Sequence, residues 1–355
     1  MPVLAAISTI DFPYKTPQQT IKEFAGEMFS GTLPEVDRIL SVFDHTEIET
    51  RNFCKPPDYY FTTHSFEERN REYIRISLGY SIQAIRECLA AARVEKEEVT
   101  DILFVSTTGL ATPSLDALIV NEMRLNPHIN RTPVFGLGCG GGVSGFARAS
   151  TLAKANPDAV VLLVAVELCS LTFMRKDFSK SNFIGTSLFS DGIAACLLMG
   201  DYRARQAAVA PSIRFAGHES RLYYDSTGVM GWDFTDEGFK VLFSSGIPEI
   251  ISKHVKRDVS SFLAKNGLDI SGIRQFIFHP GGKKVLAAYE TALGAEGDFL
   301  CTTRGVMRDY GNMSSASVLY VLERFFRQGF EDGYGLMASM GPGFSCEMVL
   351  LQMEH

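Results

Sequence analysis

The chain alternates between two hydrophobic periods. Over residues 71–93 the apolar side chains of Tyr73, Ile74, Ile76, Leu78, Ile82, Ile85 and Leu89 recur at helical spacing, which predicts one long amphipathic helix. ILFVSTT (102–108) then opens on four apolar residues and predicts a buried strand. The rhythm continues with a helix near 114–125, a short strand PVFGLG (133–138), a helix over about 140–155, and the strands DAVVLLVAVEL (158–168) and IAACLLMG (193–200). A second half repeats it. An amphipathic helix is predicted over 247–266, a strand IRQFIFHPGG (273–282) running into a glycine turn, and a helix near 283–293. A helix over 312–327 starts at Asn312, a good N-cap residue, and GLMASMGPG (335–343) and CEMVLL (346–351) are closing strands. Strands alternating with helices predict an α/β protein with parallel or mixed sheets. The repetition predicts a duplicated βαβ layer structure with halves 1–205 and 206–355.

Composition narrows the class. With 355 residues, 46% apolar and 21% charged, the chain is an ordinary globular one. It is long enough to bury roughly 75% of its unfolded surface without staples. A net charge of −7 speaks against a basic nucleic-acid-binding surface. The seven cysteines, Cys54, Cys88, Cys139, Cys169, Cys196, Cys301 and Cys346, form no C-x-x-C pair. That argues against a disulfide framework or zinc cluster and for a reducing compartment, the cytoplasm. The opening MPVLAAISTIDFPYK has no basic stretch of a secretory signal. The longest apolar run, Ala159 to Val166, falls far short of the ~20 residues that cross a bilayer, so no membrane anchor is expected. No H-x-x-x-H or H-E-x-x-H spacing occurs, so no metal site is expected.

Three positions stand out chemically. Cys139 lies in GLGCGGGVSG (136–145), where a strand gives way to a helix. Unpaired N–H groups at a helix start favour a thiolate, and the glycines let a substrate or another backbone approach. The other cysteines fit the commoner role of inert buried residues. His279 ends a strand just before Pro280, Gly281 and Gly282, placed for a ligand or for an ordinary loop hydrogen bond. Asn312, taken alone, is a helix cap. As a set, a cysteine, a histidine that holds it as thiolate, and an amide that donates to a developing oxyanion support acyl transfer through a thioester. Two other chemistries fit fragments of this pattern. Gly136, Gly138 and Gly141 match G-x-G-x-x-G, the fingerprint of a nicotinamide-binding oxidoreductase, with Glu167 as its distant acidic partner. The order Cys, His, Asn also suits a papain-like cysteine hydrolase.

The motifs, taken in order, resemble one family. GLGCGGG, LFSDGIAA, HPGGKKV, YGNMSSAS and GPGFSCE, together with STTGLATPS (106–114), resemble the signatures of type III polyketide synthases, the chalcone synthase-like condensing enzymes. The resemblance runs from about residue 40 to the C-terminus. ELCSLTF, NFIGTSLFSDG and VMGWDFTDEGFKV look most like bacterial members that make alkylpyrones from fatty acyl-CoA starters. It implies a thiolase-like fold, a duplicated αβαβα five-layer arrangement, and a homodimer that takes acyl-CoA and malonyl-CoA with no metal or redox cofactor. Cys139 is implied as nucleophile, with His279 and Asn312 as its partners. Phe189 and Phe239 are implied as gate aromatics. Thr107, Thr108, Thr172, Met230 and Ser314 are implied as cavity lining, and Gly341, Pro342 and Gly343 as a shaping loop. Thr112 is implied as a residue reaching across the dimer interface. Arg51, Lys55 and Gly281 are implied at the CoA site. The expected products are tri- or tetraketide alkylpyrones, or alkylresorcinols by aldol closure. A ketoacyl-ACP synthase III-like single condensation is the neighbouring alternative.

Overall fold

The computed structural model describes residues 1–29, 38, 40–210, 212–295 and 297–355. Nine strands form one sheet: β1 (Val3–Thr9), β4 (Asp101–Val105), β5 (Asn130–Val134), β6 (Val160–Leu168), β7 (Asp191–Met199), β8 (Ser212–Leu222), β11 (Ile273–Phe278), β12 (Gly333–Gly341) and β13 (Ser345–Glu354). The order across it is β11-β12-β13-β8-β1-β7-β6-β4-β5. Two hairpin-like pairs stand apart, β2 (Tyr14–Pro17) with β3 (Thr50–Phe53), and β9 (Met230–Thr235) with β10 (Gly238–Phe243).

The sheet is a duplication. In the first half β1 pairs antiparallel with β7, β7 antiparallel with β6, and β6 parallel with β4. In the second, β8 pairs antiparallel with β13, β13 antiparallel with β12, and β12 parallel with β11. The halves meet where β1 pairs with β8 through Val3↔Arg214 and Leu4↔Ile213.

Three apolar cores separate the layers, giving helix, sheet, helix, sheet, helix. The first lies under α2 (Phe66–Ala92) and α3 (Leu115–Met123) and takes Ile102 and Phe104 of β4. The second surrounds α4 (Gly141–Ala155) and α9 (Ser317–Gln328) and takes Leu103 and Val105 of the same strand. Successive residues of a strand point to opposite faces, and both faces of β4 are buried, which is why its sequence is uniformly apolar. The third core packs α6 (Ile247–Lys265) and α7 (Lys283–Leu293) on Leu336, Ala338 and Met340 of β12. This is the five-layer arrangement that the family resemblance implied. Other helices include α1 (Gln18–Phe29), α5 (Lys180–Leu188) and α8 (Cys301–Tyr310), beside two short ones over Pro57–Phe61 and Asp201–Gln206.

Local sequence explains the boundaries. A capping box starts α2: Ser65 Oγ accepts from the Glu68 N–H at 3.1 Å, and the Glu68 carboxylate accepts from the Ser65 N–H at 2.8 Å. Two expectations shift. The strand predicted at 133–138 lies at Asn130–Val134, a largely exposed sheet edge. The helix expected from Asn312 begins at Ser317, after a 3-10 turn over Ser314–Ala316. Among the described residues no helix is long and apolar enough to cross a membrane.

Candidate active site

Cys139 sits in a buried 3-10 turn, Gly138–Gly140, that feeds directly into α4. The glycines are there for close approach. Gly138 has φ +45°, and a Cβ on it would lie 2.7 Å from Pro342 Cδ. A Cβ on Gly142 would lie 2.1 Å from the Ser315 carbonyl oxygen, a backbone atom that cannot swing aside. The cysteine turn, the 341–343 loop and the Ser314–Ala316 turn therefore pack backbone against backbone.

A contact chain links the Cys139 side chain to that of Asn312 and on to the backbone of His279. Cys139 Sγ is 3.8 Å from Ser314 Oγ, and the Ser314 N–H donates to Asn312 Oδ1 at 2.9 Å. Asn312 Nδ2 donates at 3.5 Å to the Gly281 carbonyl, whose own N–H donates to the His279 carbonyl at 2.9 Å. Asn312 is thus no helix cap. Its side chain closes a turn on Ser314, and its backbone bridges the segment of Phe189: Asn312 N–H donates to Leu188 O, and Ser190 N–H to Asn312 O, both at 2.8 Å.

Burial dominates the electrostatics. Cys139 is 5% and His279 3% exposed, and neither ring nitrogen of His279 has a hydrogen-bond partner among the described residues. Desolvation pushes the Cys139 thiol up to about 12, against a weaker pull from Ser314, and pushes the His279 imidazole down to about 3. Raising a thiol from 9 to about 12 corresponds to ~4 kcal/mol. The helix start, worth ~0.3–1 kcal/mol, does not supply that alone. A thiolate here needs a compensating positive charge close by, since opposite charges attract strongly where water is excluded.

One buried acid packs beside these turns. Glu167 ends the otherwise apolar β6 and accepts from Thr107 N–H at 3.1 Å, Thr107 Oγ1 at 2.9 Å and Ser315 Oγ at 2.5 Å. Burial raises it to about 7, with those donors pulling it down. A lone carboxylate in VVLLVAVEL was the available signal. Burial also disposes of the dinucleotide reading, since Glu167 is 0% exposed and out of reach of a ribose, and Gly341 and Ser315 cover the start of α4.

The remaining expected residues divide. Thr107, Thr108 and Thr172 are buried, and Thr108 and Thr172 are bonded to Leu168 N–H and the Cys169 carbonyl. Thr172, Phe189 and Phe239 form part of the wall of an apolar cavity of about 860 Å³ including its open mouth, which Phe24, Ala25, Met28 and Phe29 of α1 complete. Thr108, Thr172 and Phe239 also line a small void beside it. Phe189 stacks at 5.5 Å on Phe243 and faces Trp232 at 6.1 Å. Met230, Pro342 and Gly343 are half-buried, Gly341 is buried, and Thr112 is exposed. The basic residues are not arranged as expected for CoA phosphates. Arg51 is 1% exposed, with its guanidinium on the carbonyls of Thr186 and Phe189, so it is a residue of the interior. Lys55 pairs with Glu72 at 2.9 Å and lies over the Tyr59 ring. Among the described residues no group of three His, Cys, Asp or Glu side chains could hold a metal ion.

Comparison with known proteins agrees with this geometry. The family model of chalcone and stilbene synthases, N-terminal domain, matches residues 60–202, and that of the C-terminal domain matches residues 218–354. A protein of Bacillus subtilis (strain 168) that carries a chalcone synthase name is 44% identical over 100% of this chain and 99% of its own. The 1,3,6,8-tetrahydroxynaphthalene synthase of Streptomyces peucetius subsp. caesius is 35% identical over 98% of this chain and 92% of its own. Among solved structures, the 1,3,6,8-tetrahydroxynaphthalene synthase of Streptomyces coelicolor A3(2), a bacterial type III polyketide synthase, superimposes with a TM-score of 0.93 at 27% identity, covering 99% of each chain.

Proposed function

Because the chain belongs to the chalcone and stilbene synthase family and is a type III polyketide synthase, we propose that it extends a long-chain fatty acyl-CoA with malonyl-CoA units to alkylpyrones, working through Cys139, His279 and Asn312. The observation that carries the assignment of residues is the contact chain Cys139–Ser314–Asn312–Gly281–His279. It joins parts of two halves, 1–205 with the nucleophile and 206–355 with its partners. The family acts on CoA thioesters and needs no further cofactor.

The steps follow from the groups present. The Cys139 thiol passes its proton to His279, the sulfur attacks the starter thioester, and CoA leaves with that proton. Malonyl-CoA then loses CO₂. An N–H of His279 and the Asn312 amide donate to the enolate oxygen, the preorganised stabilisation that makes such sites effective. The enolate carbon attacks the Cys139 thioester and the sulfur leaves as thiolate. The lengthened CoA thioester returns to Cys139 for the next round. After two or three rounds an enol oxygen attacks the terminal thioester carbonyl and expels the thiol to give the pyrone; after three, an internal aldol closure with loss of water, followed by thioester hydrolysis and loss of CO₂, gives an alkylresorcinol. The apolar cavity beside Thr172, Phe189 and Phe239 supports a fatty starter, since an acyl chain gains ~0.8 kcal/mol per buried methylene. The exposed Thr112, two residues from the exposed Leu110, supports a homodimer with Thr112 at the partner's site.

The test is a product profile with malonyl-CoA and a ladder of starters, read by mass spectrometry. Long-chain pyrones are expected. A single β-ketoacyl extension would instead favour the ketoacyl-ACP synthase-like reaction. Aromatic product from malonyl-CoA alone would favour the reaction named for the tetrahydroxynaphthalene synthase relatives.

A further inference from the structure

Arg51 is buried on β3, opposite Thr16 of β2, and the reaction above gives it nothing to do. Its surroundings do. Nη1 donates to two carbonyls, Thr186 O at 2.6 Å and Phe189 O at 2.8 Å. Both lie where α5 ends and the strand entering β7 begins. Its aliphatic stem lies against Gly311, where φ is +72° and a Cβ would meet Arg51 Cγ at 2.8 Å. Gly311 immediately precedes Asn312, whose backbone bridges the Phe189 segment. The rest of β3 is fastened to the same two places. Thr50 Oγ1 donates to Asp309 O, Asn52 N–H to Ser190 Oγ, and Cys54 N–H to Asp191 Oδ2.

We propose that Arg51 is a positioning residue that clamps the aromatic of Phe189 and the amide of Asn312 into one rigid unit. This rests on the roles given to Phe189 and Asn312 under the proposed function. Holding up the fold is the plain alternative, and the guanidinium suits it poorly. Nε and Nη2 have no hydrogen-bond partner among the described residues, although the ring faces of Phe43 and Phe53 lie 5.9 and 5.4 Å from Cζ. A buried cation with donors unspent is a costly brace for stability alone. A single Nη1 fixed to two carbonyls, in a guanidinium plane set between the Phe43 and Phe53 rings, is a precise one, and a Lys ammonium has no such plane.

The account predicts a loss of coupling. If the aromatic shifts, water reaches the enolate formed by decarboxylation and protonates it to acetyl-CoA instead of letting it attack the Cys139 thioester. Full-length wild type, Arg51→Lys and Arg51→Met would be compared for kcat, KM of the starter, and the ratio of condensation product to acetyl-CoA. Displacements on the order of 1 Å cost about 10²-fold, so kcat should fall about 10²-fold in Arg51→Met, with KM changed far less, and the ratio should fall several-fold. That ratio does not depend on how much of the protein is folded. Added guanidinium should raise both kcat and the ratio in Arg51→Ala. A kcat that falls only with the folded fraction, at an unchanged ratio, would overturn the clamp while leaving the proposed function intact. A wild type that condenses nothing would overturn that function, and the clamp with it.

Discussion

At the scale of single residues, the site is governed by what burial does to charge. Glu167 is the clearest case, because its carboxyl is raised from 4.5 to about 7. An acid raised by folding is disfavoured in its charged form, so the native state loses stability relative to the unfolded one as pH climbs from about 4.5 to about 7, and no more is lost above that. The total is about 3 kcal/mol. Glu167→Gln removes the titration, and its denaturation midpoint should be flatter than that of wild type between pH 5 and 7, whatever the constant cost of losing acceptors for Thr107 and Ser315. Parallel curves for the two proteins would contradict it. Cys139 was legible in the sequence because a run of glycines is rare enough to demand a reason. Glu167 was visible only as an oddity in an apolar strand, and Arg51 was misplaced, because sequence shows a basic residue but not whether water reaches it.

At the scale of elements, backbone contact explains more than propensity. Gly142→Ala puts a Cβ 2.1 Å from the Ser315 carbonyl, whereas a Cβ on the exposed Gly79 of α2 meets nothing within 4 Å. The two alanines should act oppositely. Gly79→Ala should stabilise by up to ~1 kcal/mol, and Gly142→Ala should destabilise by at least ~1–3 kcal/mol, as read by chemical denaturation. Similar effects from both would contradict the packing account. Long periodic elements such as α2, α6 and α7 were plain in the sequence. β1 and β8, which join the half-sheets, were not: VLAAIST is too short for periodicity, and SIRFAGHESRL carries polar residues towards its partly exposed end. The helix start at Asn312 was misread because an Asn that closes a turn on Ser314 uses the same short side chain as a helix cap.

At the scale of the whole molecule, duplication builds the site. Two half-sheets meeting at β1 and β8 bring a cysteine turn from one half against the asparagine and histidine turns of the other, and the motif order alone made that architecture legible. The apolar cavity beside Phe189 was not legible, because α1 contributes part of its wall from a stretch that carries none of the motifs. Ala25, on that wall and 5% exposed, gives a direct probe. Ala25→Phe should shift the preferred starter to shorter chains while turnover of short starters stays near wild type, and an unchanged chain-length profile would place the acyl chain elsewhere. The most direct measurement of the central claim is the product profile of wild type beside Cys139→Ala, with malonyl-CoA and starters of increasing length. Multiply extended pyrones from long-chain starters, absent from the variant, are the predicted result, and condensation that persists without the Cys139 thiol would contradict it.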